Sequence, residues 1–175
     1  QVTPADCEVD HTLVDAIGDA LYAAKIVSYT QGFQQMRAAA AEYDWQLAYG
    51  DIALLWRAGC IIRSRFLDDI KRAYDDNAEL PSLLFDDFFA SAVGAAEPGW
   101  RRAVQLGVAR GIPLPAMGAA LSWYDGYRSE TLPANLLQAQ RDYFGAHSYR
   151  RTDRDPDTAW HTRWTDDLSE DPVDG

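Results

Sequence analysis

Apolar side chains recur every three to four residues through most of this 175-residue chain. Such spacing places them on one face of an α-helix, so it predicts helices rather than strands. A first helix is predicted from Thr12, which can cap its N-terminus, to about Glu42. A second, strongly amphipathic helix is predicted to start at Asp51 and to continue until a break at Asp75–Leu80. The apolar positions that define the first helix are Leu13, Ile17, Leu21, Ala24, Tyr29 and Phe33.

Proline and glycine mark the boundaries of four further predicted helices. Pro98 and Gly99 separate the third helix from the fourth, and Gly145 is predicted to cap the sixth helix at its C-terminus. The fifth helix ends near Arg128. The predicted third to sixth helices begin at Pro81 or Ser82, at Trp100, at Pro115 and at Leu132.

The predicted fold class is all-α. No segment of useful length alternates apolar and polar residues, so strands are not expected. We predict an antiparallel bundle of about six helices with an extended C-terminal tail. Residues 1–11 would form a polar lead-in, residues 12–145 the helical domain and residues 146–175 the tail. The tail is polar except for the aromatic sequence WHTRW at Trp160–Trp164, which we expect to be its anchoring point.

The charge of the chain limits its partners. A net charge of -11 argues against binding to nucleic acid or to an anionic membrane surface, because both require an excess of basic residues. A small anionic ligand would therefore need a local basic region. Four arginines against two aspartates leave +2 between Gln138 and Arg154. These residues are Arg141, Arg150, Arg151 and Arg154, with Asp142 and Asp153.

The remaining composition favours a cytoplasmic protein. Cys7 and Cys60 are too few for a disulfide framework, and Cys7 with His11 lacks two of the ligands that a metal site needs. No apolar run approaches the roughly 20 residues that span a bilayer, and no signal peptide pattern is present. Because the sequence begins at Gln1 rather than at a methionine, we expect it to be a piece of a longer polypeptide.

The segment from Leu132 to His147 places an arginine, an aromatic pair and a histidine at the end of a predicted helix. Arg141 offers five hydrogen-bond donors in a fixed fork, and His147 offers a titratable ring. Spacing alone does not give them a function. The helix dipole favours an arginine near a C-terminus, and a histidine after a capping glycine is usually solvated.

Four segments resemble, in this order, the decarboxylating 6-phosphogluconate dehydrogenases. They are AKIVSYTQGF (Ala24–Phe33), WRAGCIIRSRFLDDI (Trp56–Ile70), SWYDGYRSETLPANL (Ser122–Leu136) and LPANLLQAQRDYFGAH (Leu132–His147). The resemblance runs from about Leu21 to Trp164. It implies the helical domain of an NADP-dependent enzyme of the pentose phosphate pathway, which converts 6-phosphogluconate to ribulose 5-phosphate and CO2.

The resemblance also implies a role for Arg141 and His147. In this family the arginine and histidine of the matching RDYFGAH motif reach into the active site of the other subunit, where they bind the substrate near its phosphate. The implied partners are therefore 6-phosphogluconate and a second copy of the chain. A guanidinium suits this role because it binds phosphate oxygens in a bidentate manner.

Other parts of the family's machinery are not recognisable in the sequence. The family uses a lysine and a glutamate as catalytic acid and base, whereas Lys25 and Lys71 lie in segments that match its helical scaffold. None of the twelve glycines forms a GxG pair, so a dinucleotide fingerprint is missing. We therefore expect no catalytic residue in this chain, no NADP bound to it and no turnover by the chain alone.

A different hypothesis is a non-catalytic, all-helical module for dimerisation. It is indicated by Trp100, Trp123 and the WHTRW sequence, since aromatic anchors are common at protein interfaces. Core packing is the simpler explanation for each of these residues.

Overall fold

The computed structural model describes residues 10–173, and within that range it contains six α-helices, one 3-10 turn and three β-strands. The helices are α1 (His11–Tyr43), α2 (Tyr49–Leu55), α3 (Leu67–Asp76), α4 (Asp87–Ala109), α5 (Pro115–Tyr127) and α6 (Asn135–Gly145). The strands are β1 (Tyr149–Arg150), β2 (Ala159–Thr162) and β3 (Glu170–Val173). The prediction of a mainly helical fold with about six helices is confirmed. Cys7 and most of the predicted lead-in lie outside the described residues.

The chain forms two compact units, which meet in sequence between Tyr127 and Arg128. The first, the helical unit, contains α1 to α5. The second, the tail unit, contains α6 and the three strands.

Helix α1 begins two positions before the start that a cap at Thr12 implies. Its N-cap is Asp10, whose carboxylate accepts a hydrogen bond from the Leu13 amide at 2.8 Å. Thr12, the predicted cap, instead donates its hydroxyl to Asp10 at 2.8 Å. An aspartate is as good a cap as a threonine, so the prediction was right in kind but misplaced by two residues.

The core of the helical unit is apolar, and Trp100 lies at its centre. Its side chain is completely buried, and its indole N–H donates to the Met117 carbonyl at 3.1 Å. Helix α1 supplies one wall of this core and α4 supplies another. The largest fully buried apolar side chains of the unit are Trp100, Phe33, Phe66, Phe89, Ile26, Leu67, Ile70, Leu83, Val27 and Val93.

The predicted boundary at Pro98 and Gly99 was wrong, because α4 continues through both residues. Proline inside a helix removes one backbone hydrogen bond. Burial of the face that carries Val93 and Trp100 offsets this cost, since packing rather than propensity supplies most of a helix's stability. A Cβ at Gly99 would lie 2.3 Å from Asp19 Oδ2, so glycine permits a close approach of α1 and α4.

The predicted second helix is interrupted by a series of turns at residues 56–66. Two carbonyls of this segment are bound by side chains of α1 rather than by helical amides. The Tyr29 hydroxyl donates to the Ile62 carbonyl, and Lys25 Nζ donates to the Arg63 carbonyl at 2.6 Å. These contacts come from residues more than 30 positions away, so the local apolar pattern could not reveal them.

The tail unit contradicts the expectation that no strands occur. Strands β1, β2 and β3 form an antiparallel sheet in that order, with Tyr149 opposite Trp160 and Trp160 opposite Pro172. Each strand is two to four residues long and has no regular alternation of buried and exposed positions. The sheet therefore leaves no period-two signal in the sequence.

Candidate functional site

Arg141 lies in the penultimate turn of α6, with its side chain exposed to solvent. Its guanidinium donates one hydrogen bond, to Gln138 Oε1 at 3.3 Å. The side-chain amide of Gln138 also donates, through Nε2, to the Ser148 carbonyl at 2.6 Å. Gln138 therefore connects Arg141 with the turn that follows α6. Within residues 10–173, Arg141 has no ion pair, so most of its donors remain available to a ligand.

His147 lies in the turn after α6 and is also exposed. Its ring packs edge-on against Phe144, with 5.9 Å between the ring centroids. A Cβ at Gly145 would lie 2.8 Å from His147 Nε2, so the ring occupies space that only a glycine leaves open. The helix does not end in a left-handed glycine. Ala146 takes that conformation, with φ of 47°, and Gly145 is the last helical residue.

The predicted site residues thus occupy exposed positions at one end of the tail unit. The unit also has a cavity of about 460 Å³, lined by Gln138, Arg151 and Glu170 among others, and neither Arg141 nor His147 lines it. The role of these two residues in substrate binding stays a prediction.

Sequence reasoning missed the residue that organises this end of the chain, Asp142. Its side chain is completely buried, and its carboxylate accepts four hydrogen bonds. Two come from the backbone amides of Ser148 at 2.9 Å and Thr162 at 3.0 Å. The others come from His161 Nδ1 at 2.9 Å and Trp164 Nε1 at 2.8 Å. Asp142 therefore joins α6 to the following turn and to β2.

The ionised form of Asp142 is favoured despite its burial. Burial raises the pKa of this carboxyl, but the hydrogen bonds from Thr162, His161, Trp164 and Ser148 outweigh that effect and lower the pKa below its usual value. One sequence signal was available. An aspartate in the last turn of a helix is disfavoured by the helix dipole, so it needs another reason to be there.

Most of the predicted basic region is neutralised by ion pairs. The local count of +2 omitted carboxylates that the sheet brings in from elsewhere in the sequence. The pairs are Arg151 with Asp153 and Glu170, Arg154 with Glu170, and Arg150 with Asp157. Hydrogen bonding to Arg151 lowers the pKa of Asp153 to about 2. Arg141 is the one arginine of the four that has no carboxylate partner among the described residues.

The described residues do not form the fold that commonly binds the dinucleotide NADP. A dinucleotide-binding fold needs parallel strands joined by helices and a glycine-rich turn at a helix N-terminus. Residues 10–173 contain one antiparallel sheet of three short strands. Over the same range, no group of three histidine, cysteine, aspartate or glutamate side chains is arranged to hold a metal ion. None of the described helices combines the length and apolarity needed to cross a membrane.

Comparison with known proteins identifies the family. The family model of the 6-phosphogluconate dehydrogenase C-terminal domain matches residues 3–164. The decarboxylating 6-phosphogluconate dehydrogenase of Homo sapiens is 58% identical over 154 residues, which are 88% of this chain and 32% of that protein. The NADP(+)-dependent decarboxylating enzyme of Bacillus subtilis is 51% identical over 152 residues, 87% of this chain and 32% of that protein.

A solved structure of the same family is also similar to this chain. The 6-phosphogluconate dehydrogenase of Plasmodium falciparum, determined in its apo form and in complex with its cofactor NADP+ and its substrate 6-phosphogluconate, has a TM-score of 0.81 and 41% sequence identity to this chain. The match covers 93% of this chain and 34% of that one. The chain thus spans about a third of the length of these relatives. Because the family model covers most of its residues, the chain belongs to the 6-phosphogluconate dehydrogenase family and corresponds to its C-terminal domain.

Proposed function

We propose that this chain is the C-terminal part of a cytoplasmic, NADP-dependent decarboxylating 6-phosphogluconate dehydrogenase. In this proposal the chain contributes dimer contacts and two substrate-binding residues, Arg141 and His147. The observation that carries the proposal is the exposure of Arg141 and His147 in the RDYFGAH motif of a chain that is 58% identical to the human enzyme over 154 residues. We assign NADP binding to the remaining part of the enzyme, which corresponds to the regions of the relatives outside the matched third.

In this proposal the chain binds the substrate and does not transfer protons. Arg141 would hold phosphate oxygens through parallel N–H donors, and His147 would donate to an oxygen at the same end of the substrate. The two lysines lie in α1 and α3, in segments that match the helical scaffold of the family rather than its catalytic motif. Lys25 donates to the Arg63 carbonyl, and Lys71 is 3.2 Å from Asp51 and 2.9 Å from Asp75. Following the family resemblance, we assign the acid and base of the reaction to a part of the enzyme outside this chain.

The exposed apolar residues of α6 support a second subunit as the partner. Leu136 is 83% exposed and Phe144 is 68% exposed, and Leu137 and Tyr143 are each 61% exposed. Four large apolar side chains on one short helix are more than the scattered exposure that a monomer surface normally carries. A second copy of the chain is the partner that the family membership favours. The same observation also supports the alternative, a non-catalytic dimerisation module.

A chimeric enzyme tests the proposal. The matched 154 residues of the human relative would be replaced by the corresponding residues of this chain, and 6-phosphogluconate-dependent NADP reduction would be measured. We expect an active enzyme in which Arg141→Ala raises the KM for 6-phosphogluconate about 100-fold, because the phosphate loses a charge-assisted contact. The KM for NADP should stay within about 2-fold.

Arg150→Ala is the matched control, since Arg150 is an exposed arginine of the same unit whose nearest carboxylate is Asp157 at 3.8 Å. It should leave both KM values within about 2-fold. An unchanged KM for 6-phosphogluconate in the Arg141 variant would refute the binding role. A chimera that forms dimers but neither binds nor oxidises the substrate would favour the dimerisation module.

A further inference from the structure

The helical unit contains a cleft of about 600 Å³ that the proposed function does not use. One side is the N-terminal half of α1, including Tyr22 and Lys25. The other side is the turn segment 56–66 and the start of α3. The volume lies within the range of small-molecule sites in proteins.

The charge of the cleft is opposite in sign to that of the chain. Lys25, Arg57, Arg63 and Arg65 line it together with one carboxylate, Asp68. Arg57 pairs with Asp68 at 3.1 Å. Lys25, Arg63 and Arg65 have no ion pair anywhere in residues 10–173, and all three face the same space.

One further carboxylate, Asp69, lies near the cleft. Burial and the charge of Asp69 together raise the pKa of Tyr22, so this carboxylate is close enough to act on the Tyr22 hydroxyl. Counting Asp69 with Asp68 against the four cations still leaves a local charge of +2, in a chain whose net charge is -11. The cleft therefore attracts anions although the chain as a whole is negatively charged.

Several contacts hold the turn segment 56–66 in place. The Ile62 and Arg63 carbonyls accept hydrogen bonds from Tyr29 and Lys25 of α1. Inside the segment the Arg63 amide donates to the Cys60 carbonyl at 3.1 Å. Because these bonds fix the backbone, the arginine stems start from defined positions and less ordering is needed when a ligand binds.

We propose that this cleft binds a small phosphate-bearing anion. Arg63 and Arg65 can each present parallel N–H donors to phosphate oxygens, and Lys25 adds a point charge. The hydroxyl of Ser64 and the apolar side chain of Leu21 also line the cleft and can contact the uncharged part of a ligand. The proposal does not depend on the role of Arg141 and His147.

The test uses the 175-residue chain labelled with 15N and titrated with inorganic pyrophosphate at fixed ionic strength. We expect saturable shifts of the backbone amides in residues 57–68 and around Lys25, with a Kd of about 1 mM or lower. The double variant Arg63→Gln/Arg65→Gln should bind at least about 10-fold more weakly. The absence of saturable shifts at the cleft, or equal affinity in this variant, would overturn the proposal.

Arg65→Gln alone guards against a folding defect, because the exposed Arg65 side chain makes no hydrogen bond or ion pair with the described residues. It should weaken binding about 3-fold or more. Its matched control is Arg37→Gln, which removes one positive charge from α1 twelve residues, or roughly 18 Å, beyond Lys25. An equal loss of pyrophosphate affinity in both variants would mean that the anion is attracted non-specifically by positive charge, and it would overturn the proposal.

Arg141→Ala separates this proposal from the proposed function. Pyrophosphate affinity at the cleft should stay within about 2-fold of the unmodified chain, because Arg141 does not line the cleft. If the shifts occur only at the end of α6 and disappear in this variant, the cleft site is refuted and the role of Arg141 gains support.

Discussion

Trp100 and Asp142 are both completely buried, yet the units around them are stabilised in different ways. Trp100 is surrounded by apolar side chains and makes one side-chain hydrogen bond. Asp142 carries a charge and accepts four hydrogen bonds. Among the described residues of the tail unit, Asp142 and Thr162 are the only ones classed as buried.

The difference follows from the size of the units. A large unit can bury enough apolar area to offset its conformational entropy, whereas a small one cannot. The tail unit instead relies on directional contacts that need correct geometry and ionisation. We therefore expect the helical unit to be sensitive to lost volume and the tail unit to be sensitive to lost charge.

Removal of the central ring of the helical unit should have the largest effect. Trp100→Ala is expected to lower the free energy of unfolding by about 3–5 kcal/mol, because it leaves a cavity between α4 and α5. Denaturant unfolding followed by circular dichroism measures this change. Trp45→Ala is the control, since Trp45 is 52% exposed, and it should cost less than about 1 kcal/mol. Equal losses would contradict the central position of Trp100.

Asp142→Ala tests the polar centre of the tail unit. The substitution leaves four donors without their acceptor, and we expect a local loss of about 2–4 kcal/mol. Hydrogen exchange should show faster exchange at the Ser148 and Thr162 amides, with no change in α1 and α4. Asp166→Ala, at an exposed position nearby, should change the free energy of opening derived from these exchange rates by less than about 0.5 kcal/mol. Equal loss of protection in α1 would contradict independent stabilisation of the units.

Acid should weaken the tail unit through the same carboxylate. The folded-state pKa of Asp142 is lowered, so its stabilisation is present above the ordinary aspartate pKa of about 3.9 and is lost as pH falls through the lower folded value. The helical unit has its own acid-sensitive group, because hydrogen bonds from Arg72 outweigh burial and lower the pKa of Asp86. Protection against exchange, corrected for the intrinsic pH dependence of amide exchange, should therefore fall less between pH 5 and pH 2 in the tail unit of Asp142→Asn, where Asp153 and Glu170 still have lowered pKa values, while the pH dependence of the helical unit is unchanged. An unchanged pH dependence of the tail unit would exclude Asp142 as its source.

The smallest expected effect tests the surface of the tail unit. Gly145→Ala places a Cβ 2.8 Å from His147 Nε2, so the ring must rotate away from Phe144. Stability should change by less than about 1 kcal/mol, because alanine is the better helix former. Loss of the NMR contacts between His147 and Phe144 measures the displacement. In the chimeric enzyme the KM for 6-phosphogluconate should rise a few-fold.

Gly18→Ala is the control for that substitution, because a Cβ at Gly18 meets no atom within 4 Å. It should leave the contacts of His147 unchanged. Retention of the contacts between His147 and Phe144 in Gly145→Ala would show that the ring does not depend on the glycine.

The sequence predicted those parts of the fold that depend on local periodicity. Helices α1 and α5 lie close to their predicted ranges, because their apolar faces repeat at helical spacing. The predictions that failed depend on partners far along the chain. Tyr29 and Lys25 bind carbonyls of the turns that interrupt the predicted second helix, and the packing of Trp100 stabilises α4 where it continues through Pro98.

The same reason explains the incomplete prediction of the site. Arg141 and His147 were found from a motif, and both are exposed at the end of the tail unit. Asp142 was treated only as one negative charge, because its donors at Thr162 and Trp164 lie 20 and 22 positions later. A sequence pattern identifies residues that share a local period, but it does not identify the acceptor around which a short sheet assembles.

The backbone around His147 has a further consequence. Ala146 and Ser148 both have left-handed φ values, 47° and 55°, which cost a residue with a side chain about 1 kcal/mol each. The network around Asp142 offsets this strain when the chain folds. A molecule that binds at His147 therefore meets a backbone that is already ordered, so the entropic cost of fixing that backbone does not reduce its affinity.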